Sequence, residues 1–246
     1  MIREERFELK VSVIVPAYNE ERRIASCLKV LTAYLERVGL DYEIVVSEDG
    51  STDRTCEIVG EYARLNPRIR LLHSDRRLGK GGGILRGIEE AEGEAIVMVD
   101  VDLSAPPSQI PRLLEALKEA DLALGSRNLP ESRIGVKPPL HRRILNRAFN
   151  LLFRLLFKAE IHDTQCGFKA GWRRILLNLK DDITVKGFAF DVELIVEALR
   201  KGYRVVEVPI TWNYQPGSKV NTVKQVFHMG RDLLKIWWKT RARKSL

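Results

Sequence analysis

The chain has 246 residues, 45% of them hydrophobic, enough for one α/β domain with a substantial core or one domain with an appended subdomain. Its three cysteines, Cys27, Cys56 and Cys166, form no CxxC pair, which argues against a disulfide framework or a zinc motif and favours a reducing compartment. The net charge of +8 is uneven: residues 137–158 carry +6 and residues 219–246 carry +7, so the remaining chain is mildly acidic and the two cationic segments point to an anionic surface as partner.

The opening Met-Ile-Arg-Glu-Glu-Arg leads into no apolar run, so no secretory signal is expected, and no stretch reaches the roughly 18–20 apolar residues of a membrane span. Residues 11–15 read as a buried strand ended by Pro16. Asn19 is placed to cap a helix with Glu20 and Glu21 in its first turn, running to about residue 38. A second strand at 43–47 is stopped by Asp49-Gly50-Ser51, and Thr52 or Asp53 then caps a helix to residue 65. A third strand covers 69–72, and a helix follows the glycines at 79–83 to about residue 92. Residues 95–99 form a fourth strand with Asp100 at its end, followed by a helix at 108–119 and a fifth strand at 122–124. Beyond these lie a helix at 139–157, an irregular stretch at 161–169, a helix at 190–200, strands at 204–208 and 211–214, and a last helix at 222–241.

Regular alternation from residue 11 to 125 predicts an α/β fold, a mostly parallel central sheet with helices on both faces. Such sheets bind ligands beyond the carboxyl ends of their strands. The unusual sequences, at 16–20, 47–53, 78–83 and 100–104, all fall there. Asp100-Val101-Asp102 sets two carboxylates at the sheet mouth, pointing in similar directions because strand side chains repeat every second residue. Two close carboxylates repel unless a cation sits between them, and a hard divalent ion such as Mg²⁺ or Mn²⁺, shared with substrate phosphates, meets that need. Asp49 is placed to face a ligand while Asp53 caps. The glycine cluster lets the backbone approach something closely at a helix N-terminus, a natural anion site, although its spacing fits neither a Walker loop nor a dinucleotide fingerprint.

Pro16-Ala17-Tyr18-Asn19-Glu20, Asp49-Gly50-Ser51-Thr52-Asp53, Gly79-Lys80-Gly81, Asp100-Val101-Asp102 and Gly125-Ser126-Arg127 together resemble the family 2 glycosyltransferases of the GT-A fold. Asp163-Thr164-Gln165-Cys166-Gly167-Phe168-Lys169, Phe188-Ala189-Phe190-Asp191-Val192-Glu193, Gly217-Ser218-Lys219 and Met229-Gly230-Arg231-Asp232-Leu233-Leu234 are similar to the dolichyl-phosphate glucosyltransferases within it. The resemblance implies transfer of a sugar, glucose from UDP-glucose, to a polyprenyl phosphate with inversion at the anomeric carbon. It places Pro16, Tyr18, Glu20 and Asp49 at the nucleoside and Asp100 and Asp102 on metal and diphosphate. It sets Arg127 and Lys219 on phosphates, adds Lys80, Val101, Ser104 and Gln165 as substrate contacts, and makes Asp102, Arg127 and Asp163 the catalytic group. Asp163 lies where the wider family often keeps a base. A phosphate monoester is already ionised near neutral pH, its second pKa being about 6, so Asp163 is expected to matter little as a proton acceptor. Ser104 stands where related mannose synthases carry Gln, which weakens a mannosyl alternative using GDP-mannose. A non-catalytic nucleotide-sugar-binding adaptor is the other alternative, disfavoured by the presence of both aspartates.

Arg143, Arg147, Asn150, Arg154 and Lys158 recur at helical spacing as one polar stripe, with Leu145, Ala148, Phe149, Leu152, Phe153, Leu156 and Phe157 around it. Lys224, His228, Arg231, Lys235 and Lys239 repeat that spacing beside Val226, Phe227, Leu233, Leu234, Trp237 and Trp238. Both helices read as membrane-interface elements rather than nucleic-acid binders. This places the chain peripherally at the cytoplasmic face of a membrane, with a catalytic domain over 1–218 and a basic amphipathic helix over 219–246. His73, His141, His162 and His228 have no metal-ligand spacing and read as surface or local hydrogen-bonding residues. Asp191 and Glu193 read either as acceptor-site residues or as helix N-terminal charges.

Overall fold

The computed structural model describes residues 9–215 and 222–242. Lys219, with Gly217 and Ser218, lies outside the described residues, as does the side chain of Lys224. The first half alternates as expected: β1 (Lys10–Ala17), α1 (Ile24–Arg37), β2 (Asp41–Glu48), α2 (Thr55–Leu65), β3 (Ile69–Leu72), α3 (Lys80–Glu90), β4 (Ala95–Met98), α4 (Ile110–Ala116) and β5 (Leu122–Ser126). The second half contains β6 (Arg133–Ile134), α5 (Leu140–Phe157), β7 (Lys169–Trp172), α6 (Arg173–Lys180), α7 (Phe190–Arg200), β8 (Val205–Pro209), β9 (Thr211–Trp212) and α8 (Thr222–Ala242).

The main sheet has the order β3-β2-β1-β4-β7-β5-β8. All its strands run the same way except β7, which pairs antiparallel with β4 and with β5. Successive strand residues serve opposite faces. Val11, Val13 and Val15 join the core beneath α1, α2 and α4, whereas Ile14 joins the core formed with α3, α6 and α7. Both faces are covered, which is why the strands read as nearly continuous apolar runs.

Four local expectations change. Asn19 does not cap α1: it takes a left-handed conformation (φ 53°), its Oδ1 accepts the Thr52 amide, and the helix starts only at Ile24. Pro16 does not end β1, which continues to Ala17 beyond the last residue paired with β4, so no second neighbour asks for the missing N–H. The strand expected at 211–214 is only Thr211–Trp212 and pairs with β6 in a separate small ladder. The end of the stretch expected to be irregular leads into β7 and α6. Lys-Ala-Gly-Trp has no β-branched residue, and its strand character comes from pairing on both sides.

The basic helices are also more deeply set than their stripes suggest. Asn150 is buried, and its Oδ1 accepts both the amide and the hydroxyl of Thr164. Phe149, Phe153, Leu156 and Phe157 pack inward, while Leu140, Ile144, Leu151 and Leu155 are exposed. On α8, Leu233 and Ile236 are buried, and Lys239 turns inward, its Nζ 2.6 Å from Glu193 Oε1 and 3.5 Å from Glu197 Oε1. Both carboxylates are fully buried on α7, so this charged residue is an anchor for the last helix.

Candidate active site

The strand ends bring the acidic triplet to one edge of the sheet. Asp100 follows β4, and its Oδ1 accepts Lys80 Nζ at 2.7 Å, from the first residue of α3. Burial works to raise the Asp100 pKa, but the charge and hydrogen bond of Lys80 hold it below the usual carboxylate range. The same pairing raises the Lys80 pKa against its own desolvation. Asp102 Oδ1 accepts the Ser104 amide at 2.9 Å, across a turn in which Leu103 is left-handed. The two carboxylates still have Asp100 Oδ2 and Asp102 Oδ2, hard oxygen donors of the kind a divalent cation takes. The Val101 side chain, expected among the substrate contacts, is instead packed into the core, in the turn that follows β4.

Gly167 makes room for this arrangement. A Cβ there would overlap the Asp100 carboxylate. The glycine cluster lies in the first turn of α3 and not ahead of it, only Gly79 preceding the helix, and it serves packing in the same manner, not the anion binding expected of it. The Gly81 and Gly82 amides donate to Lys186 O at 2.8 and 3.2 Å, and a Cβ on Gly81 would overlap Phe190. The helix N-terminus is thus closed by the chain itself.

Arg127, just past β5, and Asp163 form an ion pair held by three hydrogen bonds. The Arg127 amide (2.9 Å) and Nε (2.7 Å) donate to Oδ2, and Nη2 (2.8 Å) donates to Oδ1. Asp163 is fully buried. Burial would raise its pKa, yet the Arg127 guanidinium holds it below the ordinary range. Glu207 on β8 accepts the amides of His162 and Asp163, fixing the turn that presents the carboxylate. The Trp212 ring lies 5.3 Å from the Arg127 guanidinium carbon. Sequence reasoning missed Glu207, Trp212 and the buried Lys169, whose Nζ is 2.8 Å from Asp191 Oδ1. Asp191 therefore has a structural ion pair as well as a place on the cleft wall.

A cleft of about 460 Å³ opens from this edge. Lys80, Asp102, Ser104, Arg127 and Gln165 line its inner end. Its outer end is walled by Lys137, Arg142, Arg143 and Arg147, interleaved with apolar Leu145 and Phe149 of α5. Pro16, Tyr18, Glu20 and Asp49 lie apart from that lining, at the ends of β1 and β2. There the Arg77 guanidinium stacks 3.5 Å from the Tyr18 ring centroid, and Asp49 accepts the Leu78 and Gly79 amides. The Glu20 carboxylate is turned away, bidentate to Arg23 on its own turn.

The comparisons with known proteins agree with this architecture. The family model described as glycosyl transferase family 2 matches residues 12–179. Glycosyltransferase AglD of Haloferax volcanii is 38% identical over 96% of this chain, which spans only 38% of that protein's length. A dolichyl-phosphate beta-glucosyltransferase of Trichomonas vaginalis is 37% identical over 93% of this chain and 73% of its own. The Homo sapiens dolichyl-phosphate beta-glucosyltransferase is 31% identical over 92% of this chain and 74% of its own. Among solved structures, glucosyl-3-phosphoglycerate synthase of Mycobacterium tuberculosis, crystallised with Mn²⁺, UDP-glucose and phosphoglyceric acid, superposes with a TM-score of 0.72. That match covers 94% of this chain and 80% of the other at 18% identity, a likeness of fold. A family match over two thirds of the chain, laid on a sheet edge that gathers the acidic triplet, Arg127 and Asp163, settles its class: the chain belongs to glycosyl transferase family 2.

Proposed function

We propose that this chain transfers glucose from UDP-glucose to a polyprenyl phosphate of the dolichyl type, with inversion at the anomeric carbon, at the cytoplasmic face of a membrane to which it binds peripherally. The observation that carries this reading is the cleft, which runs from Asp102 and Arg127 to the basic and apolar wall of α5. A phosphate needs bases and a polyprenyl chain needs apolar surface, and the outer cleft offers both together. The named activities of the relatives support the same acceptor.

The attacking oxygen of the acceptor phosphate carries charge near neutral pH, so its attack on the anomeric carbon breaks the bond to the nucleoside diphosphate with no proton transfer. The chain's task is alignment and charge stabilisation. Arg127 commits Nε and Nη2 to Asp163, leaving Nη1 for a phosphate oxygen in the cleft. Asp163, buried and bound by three donors of Arg127 and the Gln165 amide, orients that arginine rather than taking a proton. Lys80 offsets the charge of Asp100, and the basic residues of α5 hold the acceptor. Tyr18 and Asp49, with Arg77, receive the nucleoside. A bound Mg²⁺ or Mn²⁺ would be held by Asp100 and Asp102 and would neutralise diphosphate charge as the donor leaves.

The exposed face of α5 supports the membrane reading. Leu140, Ile144, Leu151 and Leu155 are 66, 57, 50 and 68% exposed and form one stripe, beside exposed Arg147 and Arg154. Leu234 and Trp238 of α8 are exposed apolar side chains as well. Among the described residues no helix is long and apolar enough to cross a membrane. The test is a panel of radiolabelled nucleotide sugars with dolichyl phosphate and either metal, followed by organic extraction. Label from UDP-glucose in the lipid phase is the expected result, and transfer only to water or protein would refute the acceptor.

A further inference from the structure

A second cluster of ligand-type side chains lies at the exit of β2, away from the acidic triplet. Glu48 ends β2, Cys56 is in the first turn of α2, and His73 follows β3. One ligand atom from each lies within 4.8 Å of the others. Glu48 is fully buried along its side chain, yet carries a carboxylate whose charge cannot be solvated there. Its Oε1 accepts the Ser51 amide, while Oε2 is 2.6 Å from His73 Nδ1. Cys56 Sγ is 3.5 Å from the same nitrogen. On the far side of the ring, His73 Nε2 is 3.2 Å from Asp75 Oδ1.

We propose that Glu48 Oε2, Cys56 Sγ and His73 Nδ1 form a binding site for a thiophilic divalent cation of the Zn²⁺ type, separate from Asp100 and Asp102. Thiolate, imidazole and carboxylate together are a zinc donor set, whereas Mg²⁺ and Mn²⁺ prefer oxygen alone. Asp75 supplies the carboxylate brace that metal-bound histidines commonly have, pinning the ring with Nδ1 turned inward. The division of labour at Glu48 also fits, because Oε2 can take a metal without releasing Ser51. Tetrahedral ligands at zinc distances sit about 3.3 Å or more apart, so the Nδ1 to Oε2 contact must open slightly. His73 is 46% exposed, and its contact with the fully exposed Asp75 carboxylate can follow a turn of the ring by that amount. Binding displaces two protons to solvent, one from the thiol and one shared between His73 and Glu48. Water completes the fourth position, and the ion ties β2, α2 and the β3 exit together.

The site is missed by ligand-spacing rules because its donors come from three elements, and it does not depend on which sugar is transferred. Titration of the purified protein with Co²⁺ tests it. A thiolate-to-cobalt charge-transfer band is expected, persisting in Asp102→Asn and lost in Cys56→Ser, with zinc affinity at least tenfold weaker in the latter. Alkylation of the unaltered protein is a second readout. Cys27 and Cys166 are buried, so labelling reports Cys56, and Zn²⁺ but not Mg²⁺ should slow it. Absence of the band, its survival in Cys56→Ser, or labelling indifferent to Zn²⁺ would each overturn the proposal.

Discussion

Arg127 and Asp163 define the site most sharply at the residue scale, because neither tolerates loss of the other. Replacing Arg127 by Met strands a fully buried carboxylate, which costs about 3–5 kcal/mol. The pH dependence follows from sign. The native Asp163 pKa is depressed, so the pair's stabilisation is present above the ordinary aspartate value of about 3.9 and is lost as pH falls through the native value. In Arg127→Met the carboxyl is neutralised more readily, so urea denaturation should show the deficit at pH 7 shrinking toward acid. Asp163→Asn is expected to lower kcat/KM by less than the about 10²–10⁴-fold that loss of a general base costs, with no change in the acid limb of the pH profile, where a required base would show. Gly167→Ala should displace Asp100 and cut turnover at least tenfold while the fold persists, as a circular dichroism melt would show. The sequence marked Asp100 and Asp102 because strand ends are legible in pattern, and Arg127 only through the resemblance to family 2. It could not reveal why Gly167 is glycine, since that reason is a carboxylate far away in the chain.

Helices α5 and α8 show the same limit for elements. Helical spacing correctly found both, but it assigned their faces by polarity alone. Buried partners reverse that assignment: Thr164 draws Asn150 inward, and Glu193 draws in Lys239. Lys239→Met should therefore destabilise the protein, by about 3–5 kcal/mol in chemical denaturation, since it leaves Glu193 and Glu197 buried without it. Glu197 keeps Arg200, which places the loss toward the lower end. The outward stripe has the opposite character. Changing Ile144, Leu151 and Leu155 together to Ser removes side chains that are already half exposed, so stability should hold. Their insertion into a lipid surface is worth about 2–4 kcal/mol in sum. Co-sedimentation with anionic vesicles should accordingly fall at least tenfold. Equal sedimentation of both proteins would end the membrane assignment of α5.

For the molecule as a whole, the alternating half was readable because a sheet covered on both faces needs unbroken apolar strands, and five of them are present before residue 127. The second half was less readable because its elements are specified by neighbours. Strand β7 has no β-branched residue, α7 buries three acids, and the glycines in the first turn of α3 answer to Lys186 and Phe190. Those placements depend on contacts that no window of the sequence contains.

Strand β7 carries one more consequence, for the order in which the chain can fold. Residues 95–98 and 122–124 are neighbours of Lys169–Trp172 and not of one another. A nascent chain that has emerged through β5 thus holds two sheet edges with a missing slat between them. The edge bearing Asp100 and Arg127 can close only once β7 has been made. A fragment ending at residue 130 should remain open and protease-sensitive, although it contains every strand of the alternating half.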